Sequence, residues 1–209
     1  MNIFVTSDLH LNHQRICELA NRPFSSVEQM NEAIICAWNS VVQPDDWVYV
    51  LGDFAMGQRH LVPIWRSRLN GHIVLVKGNH DVPDKWYCQP TFDSVVSELQ
   101  FFYNGILVAM AHHPTDVFDK FVLQPDVMLC GHVHNAWSEV AKGDKIPVDY
   151  HGTNVDLPAP CQIVNVGVDV RGWAPVLLSD LLVKSGVFTK TKEIHRCLHH
   201  EGMVTVEER

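Results

Sequence analysis

Three observations in the sequence predict an α/β fold with mixed β-sheet. Short apolar runs alternate with helix-patterned segments as far as residue 77. Later apolar runs include a hairpin. Nearly every run stops at a cluster of Asp, Asn or His. The hairpin and the later strands point to two sheets stacked as a sandwich.

The elements follow in order. Ile3 to Ser7 reads as a buried strand and runs into Asp8-Leu9-His10. Residues 13–21 place Ile16 and Leu19 on one helical face before Asn21-Arg22-Pro23-Phe24 interrupts the pattern. Ser25 with Glu28 reads as a capping box. Val27, Met30, Ile34 and Trp38 at helical spacing then predict an amphipathic helix over 26–40, and these residues belong to the core. Pro44-Asp45-Asp46 is a turn, and Trp47 to Leu51 is a strand ending in Gly52-Asp53. Residues 61–69 read as a helix closed by Asn70-Gly71. His72 to Lys77 is a strand ending in Gly78-Asn79-His80-Asp81.

Phe101 to Tyr103, Asn104-Gly105 and Ile106 to Ala111 predict a hairpin with a type I′ turn, leading into His112-His113-Pro114. Val127 to Cys130 ends in Gly131-His132-Val133-His134, and Gln162 to Val166 precedes Gly167-Val168-Asp169. Residues 135–160 lack periodicity and are long enough to act as a lid or functional loop. Pro175 predicts a helix over 175–184. One domain is expected over 1–184, with a weakly patterned extension over 185–209.

Composition narrows the function. The 209 residues carry 24 acids and 16 Lys plus Arg, a net charge of -8. That balance argues against extended nucleic-acid binding, which needs a basic face, but not against a small phosphorylated substrate met by bound cations. The six cysteines, at 17, 36, 88, 130, 161 and 197, form no CxxC motif and read as reduced, mostly buried thiols. The N-terminal MNIFVTSD has no basic leader, and no apolar stretch is long enough to span a bilayer. A cytoplasmic protein without membrane contact is expected. Oligomeric state is not legible.

Thirteen histidines are many for this length. His199 and His200 read as incidental surface residues. Asp8/His10, Asp53, Asn79/His80/Asp81, His112 and His132/His134 each follow directly on an apolar strand. Gly-Asn and His-Asp pairs are ordinary turn chemistry taken singly. Loops at one edge of an α/β sheet converge, however, so these clusters are expected to meet. Asp-x-His and His-x-His place alternate side chains on one side of an extended backbone. An oxygen and imidazole donor set without thiolate suits manganese, iron or zinc. There are ligands enough for two ions, with Asp53 as a bridging carboxylate. Two such ions polarise a phosphoryl oxygen and lower the pKa of a bound water to give a hydroxide nucleophile. In this reading Asn79 is a ligand, His80 protonates the leaving oxygen, Asp81 orients His80, and Gly78 lets the backbone turn sharply.

The series Asp8-x-His10, Gly52-Asp53, Gly78-Asn79-His80-Asp81, His112 and Gly131-His132-x-His134 resembles the full motif set of the calcineurin-like metallophosphoesterases. Each motif alone is weak; five in order are specific. Flanking text resembles the small bacterial and phage-type branch: RPF at 22–24, HHP at 112–114 and NVGVD at 165–169. The likeness covers roughly residues 1–180.

The resemblance implies a four-layer α/β/β/α sandwich. It implies Asp8, His10, Asp53 and His134 around one metal, and Asp53, Asn79, His112 and His132 around a second. It implies His80 as acid or transition-state donor. It favours His112, two before the proline, over His113. It implies phosphodiesterase or phosphomonoesterase activity with two divalent ions, manganese first, with iron, zinc or nickel as alternatives. A non-catalytic metal-binding scaffold of the same fold is the rival reading; such members have lost ligands or the motif His, and this chain has lost neither.

His13, Arg22 and His113 are the candidate substrate contacts. For His13 and Arg22 an ordinary surface role weighs equally, and for Arg15 it is preferred. Asp169 reads either as the carboxylate behind a metal-bound His or as a turn residue. Asp149, Tyr150 and His151 would meet substrate if 135–160 closes as a lid.

Overall fold

The computed structural model describes residues 1–58, 60–81, 91–147 and 157–187. Asp149, Tyr150 and His151 lie outside the described residues.

Among the described residues ten strands form two five-stranded mixed sheets. The first contains β1 (Ile3–Thr6), β2 (Trp47–Val50), β3 (His72–Val76), β4 (Ser94–Val96) and, at its other edge, β10 (Val176–Leu177). Its order is β10-β1-β2-β3-β4; only β10 runs antiparallel. The second contains β5 (Leu99–Tyr103), β6 (Ile106–Met110), β7 (Val127–Cys130), β8 (Glu139–Val140) and β9 (Gln162–Asn165), ordered β5-β6-β7-β9-β8. Its central strands β6, β7 and β9 are parallel, and its two edges are antiparallel.

The continuous apolar runs are explained by burial on both faces. Phe4, Val48, Val50, Ile73 and Leu75 pack against α2 (Val27–Val41), while Val5, Leu51 and Val76 meet Val108, Met110, Leu129 and Val164 of the second sheet. The alternate residues Ala109, Met128, Cys130 and Ile163 face a third cluster with Val117, Val140, Ile146, Ala159 and Cys161. Among the described residues that last layer contains a 3-10 turn, Pro114–Phe118, and the segment around β8. The described part of the unpatterned 135–160 stretch thus covers a sheet face.

Helix α2 starts one residue later than its sequence pattern suggests. Its cap is Ser26, whose side chain accepts from the Gln29 amide, and Gln29 Oε1 accepts in turn from the Ser25 amide and hydroxyl. The cap is therefore Ser26, with Gln29 reaching back to Ser25, in place of the expected box of Ser25 with Glu28. Two other helices are shorter than expected, α1 being Ile16–Leu19 and α3 Leu61–Arg66, while the short α4 (Val168–Arg171) follows β9 where the sequence pattern predicts no helix. Pro175 does not open a helix; Val176 and Leu177 first pair with β1, and α5 then runs Leu178–Lys184. The hairpin turn is as expected, with Asn104 and Gly105 both at positive φ. Cys130 and Cys161 are buried thiols, but Cys36 is exposed and Cys17 half-buried. Among the described residues no helix is long and apolar enough to cross a membrane.

Candidate metal centre

The parallel strands of both sheets end on the same side of the sandwich. The seam is closed by backbone pairing. Ser7, after β1, bridges to Gly167, after β9, and Ser7 Oγ donates to the Leu51 carbonyl after β2. The loops after β1 and β2 continue side by side, with His10 N donating to Asp53 O at 2.9 Å and Leu11 N to Phe54 O at 3.1 Å. Across the other sheet, Gly131 N donates to His112 O at 2.9 Å. Five separate sequence clusters are thereby brought to one place.

Local backbone conformation aims the side chains. Asp8, His10, Asp53, His132 and His134 all adopt left-handed φ values between 46° and 70°. An L-residue is seldom held there, and such strain concentrates at functional sites. The Asp-x-His and His-x-His pairs therefore reach one centre through twin left-handed residues, not through extended chain. The residues between, Leu9 and Val133, are fully buried and anchor the loops.

Two glycines make room. A Cβ on Gly78 would sit 2.6 Å from Asp53 N and closer still to its carboxylate, and one on Gly131 would collide with Ser7 Oγ and the Asp8 carboxylate. Gly78 has no positive φ. It is needed for close approach, not for the sharp turn expected from sequence.

Asp53 is central. Its Oδ2 lies 3.4 Å from His10 Nε2, 3.5 Å from His112 Nε2 and 4.0 Å from His80 Nε2, while Oδ1 accepts from the His80 amide at 2.9 Å. Asn79 Oδ1 is 2.8 Å from His112 Nε2 and 3.1 Å from His132 Nδ1. Asp8 accepts from the His132 amide through both oxygens. Ligand atoms of Asp8, His10 and His134 lie within 4.8 Å of one another, as do those of Asp8, Asp53 and His112. All seven candidate ligands thus meet, and six of them are buried; Asn79 is exposed.

These donors fit a metal. His10 Nε2 is buried without a hydrogen-bond partner, a costly orphan that a cation would satisfy. His112 turns Nδ1 to the Leu51 carbonyl at 2.8 Å, and His134 turns Nδ1 to Asp169 Oδ2 at 2.9 Å, which leaves each Nε2 toward the centre. Charge agrees. Burial pushes Asp53 up to about 6, opposed by His112 and reinforced by Asp8 and Asp81. Burial, with His134 and Arg22 nearby, holds His10 well below the usual imidazole range. Burial also lowers His112, but the Asp53 and Asp8 carboxylates outweigh it and leave it raised. Buried carboxylates crowded together beside a His10 held neutral are what a divalent cation relieves.

The remaining candidates divide. His80 stands at the rim with its side chain 39% exposed, 5.4 Å from the His10 ring and 6.2 Å from the His13 ring between centroids. His13 is half-buried, its Nδ1 3.3 Å from His10 Nδ1, so it touches a candidate ligand directly. Asp81 is buried, and its carboxylate accepts from the amides of Asp53, Phe54 and Gly78. It joins the loops after β2 and β3, a different task from orienting His80. His113 lies 4.4 Å from the His132 ring and caps the 3-10 turn, with Nδ1 accepting from the Thr115 amide. Arg22 corrects the expectation of a substrate contact. Its side chain is 0% exposed, and its donors reach Asp169, the Asp8 and Leu9 carbonyls and Met30 Sδ. Asn165 was missed in sequence: its Nδ2 donates to the His134 and Trp137 carbonyls, and only its place after a buried strand hinted at this.

What fold and site define together is an α/β sandwich with a candidate metal centre at the shared strand ends. The chain belongs to the calcineurin-like phosphoesterase family, whose profile matches residues 1–136. An uncharacterized protein of Methanocaldococcus jannaschii is 33% identical over 192 residues, covering 87% of this chain and 89% of its own. The gene 66 protein of Mycobacterium phage L5 is 41% identical over 86 residues, 39% of this chain and 41% of its own. In fold, a protein of unknown function from Aquifex aeolicus superposes with a TM-score of 0.63 at 21% identity, covering 86% of this chain and 97% of that one.

Proposed function

We propose that this protein is a hydrolase of phosphate esters that works with two divalent metal ions. Asp8, His10, Asp53 and His134 would hold one ion and Asp53, Asn79, His112 and His132 the other. The observation that carries this reading is the position of Asp53 Oδ2 between His10 Nε2 and His112 Nε2, at 3.4 and 3.5 Å. When bound, the ions would supply positive charge to a phosphoryl oxygen and ionise a water at neutral pH.

The chain's own groups supply the rest. The tethered His80 amide fixes that residue's backbone on Asp53, so the imidazole stands at the mouth of the site. As water attacks phosphorus and the ester P–O bond breaks, His80 gives its proton to the departing oxygen. Asp81 keeps the His80 loop in register with Asp53 through its three amide bonds.

Manganese is placed first among the ions, with iron, zinc or nickel next; the oxygen and imidazole set itself does not choose among them. The net charge of -8 favours a small phosphorylated substrate over a long nucleic acid. The test is hydrolysis of an aryl phosphodiester and the matching monoester by metal-stripped protein, with single metals restored. Metal-dependent turnover that collapses in Asp53→Asn and His80→Ala supports the reading. Metal binding with no turnover of either ester under any metal would overturn it in favour of a binding scaffold.

A further inference from the structure

Among the candidate ligands, His134 has a buried carboxylate behind it, and that carboxylate is held by a buried arginine. Asp169 Oδ2 accepts from His134 Nδ1 at 2.9 Å. Arg22 Nε and Nη2 grip the two oxygens of Asp169 at 2.8 and 2.9 Å, a bidentate fork. The same guanidinium reaches the other side of the site, with Nη2 donating to the Asp8 carbonyl at 2.7 Å and Nη1 to the Leu9 carbonyl at 3.1 Å. Nη1 also faces Met30 Sδ at 3.3 Å. A guanidinium has five N–H donors, and these contacts use them.

We infer that Arg22 and Asp169 are positioning residues for one half of the metal centre, setting the ring of His134 and the loop of Asp8 and His10 together. The inference rests on the metal-dependent reading above.

The loop needs support. Asp8 and His10 both sit at left-handed φ, 57° and 49°, and Arg22 bonds the two carbonyls at that point. An ionised Asp169 accepts a proton donor only if His134 carries its hydrogen on Nδ1, which leaves the Nε2 lone pair for a cation. The unit is sealed by Trp173, which stands 5.6 Å from the guanidinium and 4.8 Å from the Phe24 ring, at a strained φ of 72°. Asp169 and Trp173 lie beyond residue 136, where the family profile stops. The pieces come from opposite ends of the chain, 147 residues apart in the case of Arg22 and Asp169. A buried ion pair is poor evidence of stabilisation in itself; a pair that bonds both halves of a ligand set has a positional role.

The test is titration of metal-stripped wild type, Asp169→Asn and Arg22→Lys with Mn(II) alone, reading free ion by electron paramagnetic resonance, with folding checked by circular dichroism. The expected result is two ions in wild type and, in both variants, about 10- to 100-fold weaker binding of one ion with the other unchanged. Unchanged binding of both ions, or equal weakening of both, would overturn the inference and leave a structural pair. Failure of wild type to bind Mn(II) would instead overturn the functional reading and this inference with it. Asp169→Asn leaves a buried cation unpaired and risks unfolding. A measurement on wild type covers that case: long-range ¹H–¹⁵N spectra must show His134 protonated on Nδ1, and an Nε2–H tautomer there refutes the proposal.

Discussion

Asp53 Oδ2 lies 3.4 Å from His10 Nε2, and that nitrogen is buried with no hydrogen-bond partner. The two atoms stand too far apart for a good hydrogen bond and well placed to share a cation. Asp53→Asn keeps the shape and the Oδ1 acceptor for the His80 amide but removes the charge. The expected outcome is a folded protein with metal binding and esterase activity both lost, read by Mn(II) titration and aryl phosphodiester hydrolysis. Retained activity would show that Asp53 is no ligand.

His80 predicts a different signature. Exposed at the rim and outside the buried ligand cluster, it can be removed without stripping metal. His80→Ala should lower turnover by about 10²- to 10⁴-fold while Mn(II) binding stays as in wild type. The deficit should shrink for esters with acidic leaving groups, which depart without a proton. A uniform deficit across leaving groups would argue against the proton-donor role.

Metal uptake should depend on pH with a defined sign. In the metal-free protein, burial together with Asp8 and Asp81 pushes Asp53 up to about 6 against the pull of His112. Protons and divalent cations compete for that carboxylate. Above pH 6 Asp53 is ionised and no longer opposes binding. As pH falls through 6, apparent affinity should drop about tenfold per unit for each proton displaced. His112, raised by Asp53 and Asp8 in excess of its burial, acts in the same direction. Calorimetric titration with Mn(II) from pH 5 to 8 checks this; a flat profile through 6 would be inconsistent with it.

Gly78→Ala probes the close approach of two loops. Its Cβ would stand 2.6 Å from Asp53 N, and that amide is fixed by Asp81 Oδ2 at 2.6 Å, so the backbone has little room to yield. A cost of about 1–3 kcal/mol in unfolding free energy is expected, the usual scale for overpacking, together with weakened metal binding. Urea denaturation and Mn(II) titration measure the two effects.

Much of the site was legible because each candidate ligand terminates or closely follows a strongly apolar run, and a run's end is a local property. Asp8, Asp53, Asn79 and His132 could be placed at strand ends from the residues beside them. The strands β4, β8 and β10 could not be seen, because two or three residues carry no readable period and owe their state to the neighbour they pair with. The cap of α2 moved by one residue because Ser25 and Ser26 are chemically equivalent, and only backbone geometry chooses between them. Pro175 looked like a helix opener until pairing with β1 claimed the two residues after it.

Sequence by itself determined the order of the longer strands and helices, the kinds of candidate ligand and the likeness to a family, since these depend on residue kind and spacing alone. Tertiary structure decided what faces what. It sent Arg22 inward to Asp169 instead of outward to substrate, turned Asp81 to three backbone amides instead of to its neighbour His80, and forced Asp8, His10, Asp53, His132 and His134 into left-handed conformations that none would take alone. Such choices come from packing two sheets face to face. A side chain's partner is then set by residues distant in the chain, and the strain of each loop is borne by the core beneath it.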